Sequence, residues 1–246
     1  MSKTSLLIEH DERAMELMLK REEGSPRYIA VEGPIGAGKT TLSELLAQHY
    51  RAQLVLERYE ENPFLANFYE DRKRAAFQTQ IFFLLSRYRQ QQELMQTNLF
   101  YTSVVSDYMF EKDRIFAAIN LSDDELKLYD QIERALTKTI PTPDVIIYLQ
   151  SSVAHLESNI KLRGRPMEKR ISRDYLETLV NAYNDFFFHY RETRLIVVNA
   201  QAMDFMSRPE HLAQLIKTIE RSPHPPVEYL NPLTVNPSTD ELFALQ

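Results

Sequence analysis

The chain has 246 residues, 43% of them hydrophobic, which is enough for one sizeable core with a flexible end. With 29 Lys and Arg against 35 Asp and Glu, its net charge of −6 argues against a general electrostatic grip on nucleic acid or an anionic membrane, so neither is expected as a partner. The absence of cysteine excludes disulfides, thiol catalysis and Cys-ligated zinc. Leu6-Leu7-Ile8 is too short for a signal-peptide core and no apolar run approaches the roughly 20 residues of a membrane helix, so a soluble cytoplasmic protein is expected.

Residues 1–24 carry helical periodicity with many charges and read as an N-terminal extension, either an extra helix or a loose arm. From residue 25 to 221, short β-rich runs alternate with longer helical stretches, the pattern of an α/β domain with a parallel sheet. The predicted strands are Tyr28–Val31, Leu54–Glu57, Tyr101–Asp107, Val145–Leu149 and Leu195–Asn199, each brief and apolar as a strand covered on both faces should be. The predicted helices are Thr40–Tyr50, about Ala75 to Thr97, Asp123–Thr137, Ser151–Leu162 and Arg173–Arg191. From 222 to 246, Pro223, Pro225, Pro226, Pro232 and Pro237 forbid a continuing helix, so this Pro-rich tail is expected to be extended, packed on a neighbour or disordered.

Three of the five glycines fall in Gly33-Pro34-Ile35-Gly36-Ala37-Gly38-Lys39-Thr40, between the first strand and the first helix. This is a Walker A loop, strong in pattern and in placement. Residues without Cβ let successive backbone N–H groups converge on phosphate oxygens, and the following helix adds the positive end of its dipole. Lys39 then supplies a point charge for the β- and γ-phosphates of ATP and Thr40 a hydroxyl for Mg2+, with Thr41 next to them on the helix.

Ligands in open α/β sheets sit beyond the carboxyl ends of the strands. Two acids emerge there, Glu57 and Asp107. Glu57 suits a proton acceptor for a hydroxyl or a holder of metal-bound water, although on the residues alone a solvated Glu fits equally well. Asp107 stands where a Walker B carboxylate would help hold Mg2+, a role compatible with capping the next helix. A basic cluster, Lys161 to Arg170, contains the fifth glycine at Gly164; Arg163 and Arg165 around it suit closure over a triphosphate, against the alternative of a solvated basic loop.

Together these segments resemble the deoxynucleoside kinase family over about residues 28–205. The likeness rests on the P-loop following Glu32, Glu57, a block from Tyr69 to Arg87 with Phe77-Gln78-Thr79-Gln80 and Leu85-Ser86-Arg87, then Asp113-Arg114-Ile115-Phe116-Ala117, Leu162-Arg163-Gly164-Arg165 with Glu168, and Asp174-Tyr175-Leu176-Glu177. It implies a P-loop kinase fold, with a five-stranded parallel sheet flanked by helices and a lid, usually as a homodimer. It makes Glu57 the general base and Arg163 and Arg165 the lid arginines. Tyr69 and Glu168 match the pair on the sugar 3′-hydroxyl, Gln80 the base-reading amide, Arg87 a further pocket residue and Phe116 a stacking aromatic that composition alone would place in the core. Asp204, in Asn199–Phe205, falls in the loop expected to enclose the adenine of ATP. One departure stands out: relatives often carry an acid-Arg-Ser triplet where this chain reads Asp107-Tyr108-Met109, so the Arg is missing, with Lys112 and Arg114 the candidates to replace its charge.

The reading is an ATP-dependent deoxynucleoside 5′-kinase of nucleotide salvage, with Mg2+ and a small-molecule deoxynucleoside, more plausibly a purine one, as its companions. The rivals are a nucleoside monophosphate kinase such as thymidylate kinase, and a nucleotide-binding regulatory protein that has lost transfer. Tyr69 with Glu168 fits a neutral sugar better than a phosphate, and Lys39, Thr40, Glu57, Arg163 and Arg165 together speak against lost transfer.

Overall fold

The computed structural model describes residues 26–97, 103–137 and 140–232. The first strand, β1 (Tyr28–Glu32), is buried along its whole length. Its alternate residues feed two cores: Ile29 and Val31 pack on one face, and Tyr28 and Ala30 on the other. Each large apolar side chain so buried contributes roughly 1.5–3 kcal/mol. This is why the sequence shows a continuous apolar run rather than an alternation.

Around β1 the sheet runs in the order β2-β3-β1-β4-β5-β6, with β2 (Gln53–Val55), β3 (Val104–Ser106), β4 (Val145–Gln150), β5 (Arg194–Asn199) and β6 (Val227–Leu230). All neighbouring pairs are parallel. One face is covered by α1 (Lys39–Tyr50) through Leu42 and Leu46, with Leu156 and Leu215 beside them. The other face takes Ile115, Leu179, Tyr183 and Phe187. The helices in between are α2 (Leu65–Glu70), α3 (Arg72–Thr97), α4 (Lys112–Asn120) and α5 (Asp123–Thr137). After β4 come α6 (Val153–Arg163), α7 (Arg173–His189) and α8 (Pro209–Glu220). Helices α6 and α7 begin at serines, whose hydroxyls accept the backbone N–H groups of His155 and Tyr175.

The sheet has six strands rather than the expected five. Strand β6 lies inside the proline-rich stretch: Val227–Leu230 is a proline-free gap that pairs with β5 as the outermost strand, where neighbouring prolines cost no ladder bonds. Helices α2, α4 and α8 were also not anticipated. The second strand is shorter than expected, so Glu57 lies two residues beyond it. Residues 1–24, Tyr101–Thr102 at the start of the expected third strand, and the tail from 233 lie outside the described residues. No helix among the described residues is long and apolar enough to cross a membrane.

Candidate active site

Strand β1 has β3 on one side and β4 on the other, so chain connections diverge at its carboxyl end and open a crevice there. The P-loop occupies it. Gly36 and Gly38 have φ angles of +87° and +94°, in the region favoured by glycine. At Gly36 a Cβ would also come within 2.9 Å of Ile160 Cγ1, so α6 packs directly against the loop. Asn159 on the same helix donates to the Gly36 carbonyl at 2.8 Å. Lys39 Nζ donates to the loop's own carbonyls at Gly33 (2.7 Å) and Pro34 (3.1 Å). Burial, then the nearby Lys112 ammonium, push its pKa down to about 8 despite the opposing carboxylates of Glu32, Glu57 and Asp107.

The fully buried Glu32 ties the crevice walls together. Its carboxylate accepts the N–H groups of Gly33 and Met109, both at 2.9 Å, and the Tyr183 hydroxyl at 3.2 Å. Burial raises its pKa, with Lys112 and Lys39 acting against the rise. Asp107, just past β3, accepts the Thr40 hydroxyl at 2.7 Å through one oxygen and the Glu57 N–H at 2.7 Å through the other. Thr40 and Asp107 thus bring two hard oxygens together beside the P-loop, a donor set suited to Mg2+, which keeps much of its coordination for water and phosphate.

Glu57 is held by two cations. Arg87, from the middle of α3, pairs with one carboxylate oxygen, and Lys112 Nζ donates to the other at 2.8 Å. Burial alone would raise the Glu57 pKa, but the two cations outweigh it and hold the carboxyl well below the usual range. The other arm of the Arg87 guanidinium pairs with Asp113, whose pKa burial lifts to about 6 against the pull of Arg87. Arg87 therefore finds its acceptors in two protein carboxylates and does not depend on a base to supply one. Across the cleft Arg163 grips Glu168 with bonds of 2.6 to 3.1 Å, Arg165 lies 3.5 Å from the same carboxylate, and the Arg165 guanidinium carbon sits 4.2 Å from the Tyr59 ring centre.

Two cavities meet here. One, of about 430 Å³, is lined by Glu57, Tyr69, Gln80, Arg87, Phe116 and Glu168, together with Ile35, Lys112 and Asp107. The second, of about 850 Å³, is lined by Ala37, Gly38, Thr41, Asn159, Gln201 and Asp204. Gly36, Lys39, Thr40, Arg163 and Arg165 line both. Of the catalytic, ATP-, substrate- and metal-binding residues expected from the sequence, only Gly33 and Pro34 line neither, and their carbonyls hold Lys39; Arg114, a candidate for the missing charge, lines neither as well. Gln80 is buried, and its side-chain oxygen has no hydrogen-bond partner. Asp204 caps its own turn by accepting from the Met206 and Ser207 N–H groups. Tyr59 was missed: nothing in the sequence distinguishes it from any other aromatic on a loop. The choice between Lys112 and Arg114 needed the fold, which buries Lys112 against Glu57 and leaves Arg114 exposed near Asp130.

The sequence profile described as deoxynucleoside kinase matches residues 29–222. Among curated relatives, a deoxyguanosine kinase of Bacillus subtilis is 38% identical over 184 residues, covering 73% of this chain and 89% of that protein. A deoxyadenosine kinase of Dictyostelium discoideum is 34% identical over 218 residues, covering 86% of this chain and 84% of its own. Among solved structures, the deoxyadenosine kinase from M. mycoides with bound dATP superposes with a TM-score of 0.69 at 25% identity, over 79% of this chain and 100% of that one. The same enzyme with products dCMP and dCDP bound gives a TM-score of 0.68 at 26% identity, over 78% and 99%.

Proposed function

The chain belongs to the deoxynucleoside kinase family, and from that premise we infer that the cleft transfers the γ-phosphoryl group of ATP to the 5′-hydroxyl of a deoxynucleoside. The observation that carries this reading is the meeting of two cavities at Lys39, Thr40, Arg163 and Arg165, with Glu57 on the smaller side and the P-loop on the larger. Two substrates seated so would place an acceptor hydroxyl and a terminal phosphate at one junction.

In the reaction the 5′-oxygen attacks the γ-phosphorus, the bond from phosphorus to the β–γ bridging oxygen breaks, and the hydroxyl proton passes to a Glu57 carboxylate oxygen. ADP and the deoxynucleoside monophosphate leave. Arg87 and Lys112 outweigh burial and keep Glu57 ionised at neutral pH, and because the same cations weaken it as a base, the proton passes to it as the bond to phosphorus forms rather than before. Lys39 leaves the Gly33 and Pro34 carbonyls for the β- and γ-phosphates, and Arg163 and Arg165 meet the charge spread over the transferring group. Thr40 and Asp107 would hold Mg2+, which neutralises β- and γ-oxygen charge when bound. Tyr69 and Glu168 take the sugar 3′-hydroxyl, Phe116 stacks on the base and Gln80 offers its unpaired carbonyl oxygen to a base amino group.

A purine deoxynucleoside is the favoured acceptor. That choice is supported by the deoxyguanosine and deoxyadenosine kinases among the relatives, and by an amide able to pair with adenine N6 and N7. Residues 25–221 carry the activity in this reading, and the family likeness supports a cytoplasmic homodimer, which light scattering would test. The experiment is an ADP-release assay over the four deoxynucleosides and their monophosphates. Turnover led by deoxyadenosine or deoxyguanosine is expected, with Glu57→Gln lowering kcat by about 10²-fold or more while nucleoside binding stays near wild type. Thymidine leading by about tenfold would end the purine choice, turnover of monophosphates alone would end the nucleoside-kinase reading, and a Glu57→Gln variant at wild-type kcat would remove the base.

A further inference from the structure

The position after Asp107, where the family likeness leads one to expect an arginine, holds Tyr108, and the fold shows what that exchange does. Tyr108, Met109 and Phe110 are all buried, with Tyr108 packed against Val55 behind β2. Their side chains enter three different clusters, Tyr108 with Val55, Met109 with Ile115 and Leu179, and Phe110 with Leu84 and Tyr129, and anchor the turn that leads into α4, where Lys112 faces Glu57. A tyrosine so buried brings no charge to the cleft. Arg114 does not bring one either: its side chain is 64% exposed and its guanidinium lies 3.7 Å from Asp130.

Resting on the kinase reading, we propose that Lys112 takes over the missing arginine's work, aiming the Glu57 carboxylate and supplying positive charge to the phosphoryl group as it arrives at the acceptor. Lys112 is 3% exposed, yet it lines the smaller cavity beside Lys39 and Thr40. Its ammonium carries three N–H donors, and among the described residues it has one hydrogen-bond acceptor, Glu57 Oε2. A cation kept this deep in a protein is costly unless its charge is used. Arg87 pairs with the other Glu57 oxygen but also with Asp113, so one guanidinium serves two carboxylates and Lys112 supplies the second positive charge. The local charge balance gives the reason to keep it. Glu32, Glu57, Asp107 and Asp113 set four carboxylates against the three cations Lys39, Arg87 and Lys112. Without Lys112 the floor that must receive a triphosphate would hold twice as many carboxylates as cations. The ammonium keeps all its protons throughout and moves none.

The test is steady-state kinetics of the full chain with Lys112→Ala and Lys112→Arg, each with and without added ethylammonium, alongside melting temperature and calorimetric nucleoside binding. Lys112→Ala is expected to lower kcat by about 10²- to 10³-fold, the usual cost of one transition-state donor, with the deoxynucleoside KM within about threefold of wild type. Either Lys112→Arg or ethylammonium is expected to restore about tenfold or more of the lost rate, which restoring folded structure alone would not explain. An alanine variant with kcat within about threefold of wild type overturns the proposal, as does a loss that neither cation relieves. A wild-type protein that phosphorylates no deoxynucleoside would instead overturn the kinase reading, and this proposal with it.

Discussion

Two clusters of carboxylates paired with cations face each other across the cleft and differ in exposure. On the sheet side, Arg87 and Lys112 hold Glu57, with Asp113 behind, and Arg87, Lys112 and Asp113 are each less than 5% exposed at the side chain. On the lid side, Arg163 and Arg165 converge on Glu168 with about a third of each arginine side chain open to solvent. The difference is in what it costs to come apart. Breaking a buried pair strands a charge in a medium that solvates it poorly; on the lid side Glu168 is itself buried, but its two arginines are partly open and can trade one partner for water or another anion more cheaply. In the proposed reaction the sheet-side cluster would serve as a fixed template and the lid-side arginines as charges that change partners when phosphate arrives.

Arg87→Met breaks that contrast most directly. It removes the guanidinium between Glu57 and Asp113, and is expected to destabilise the fold by about 3–5 kcal/mol, read by denaturant unfolding. A loss below about 1 kcal/mol would mean that the sheet side is as loose as the lid. Arg163→Lys and Arg165→Lys test the other half. Stability should stay within about 0.5 kcal/mol of wild type, while kcat falls by about tenfold or more because an ammonium cannot reproduce the guanidinium fork. If only the KM for ATP moves, the lid arginines act in docking and the transition-state charge comes from the sheet side.

The smallest effect belongs to Lys39, which sits between the clusters. Its pKa is depressed to about 8 in the free protein, so near pH 8 about half of the molecules carry a neutral Lys39. A bound triphosphate favours the charged form and pulls the pKa up, so binding at pH 8 should take up about half a proton and binding at pH 6.5 almost none. Calorimetry in buffers of different ionisation enthalpy reads this directly, and equal uptake at both pH values would remove Lys39 as the group responsible.

What the sequence revealed divides along the same line. The P-loop was legible because its function is written in contiguous residues, and strands β1, β4 and β5 were legible because burial on both faces leaves unbroken apolar runs. Glu57 and Asp107 stood out by their place near strand ends. The sheet-side cluster was not legible as a cluster: Arg87, Lys112 and Asp113 come from two helices, and α4, which carries two of them, went unseen as a helix. Helix α4 is nine residues long, too short for periodicity to announce it, and its stability comes from burying Ile115 and Ala117 in the fold. Strand β6 was hidden by the prolines around it.

The grip of α6 on the P-loop bears on the lid's stroke. Asn159 is bonded to the Gly36 carbonyl and Ile160 fills the space over Gly36, so the helix is clamped to the nucleotide-binding floor up to that point. Arg163 is the last residue of that helix and Arg165 lies beyond the left-handed Gly164, so a turn at Gly164 moves Arg165 and leaves Arg163 on the helix. Four residues lie between Ile160 and Arg165, a tether of about 17 Å over its five Cα steps at full stretch and far less as helix. A tether this short keeps both arginines near the point where α6 meets the P-loop.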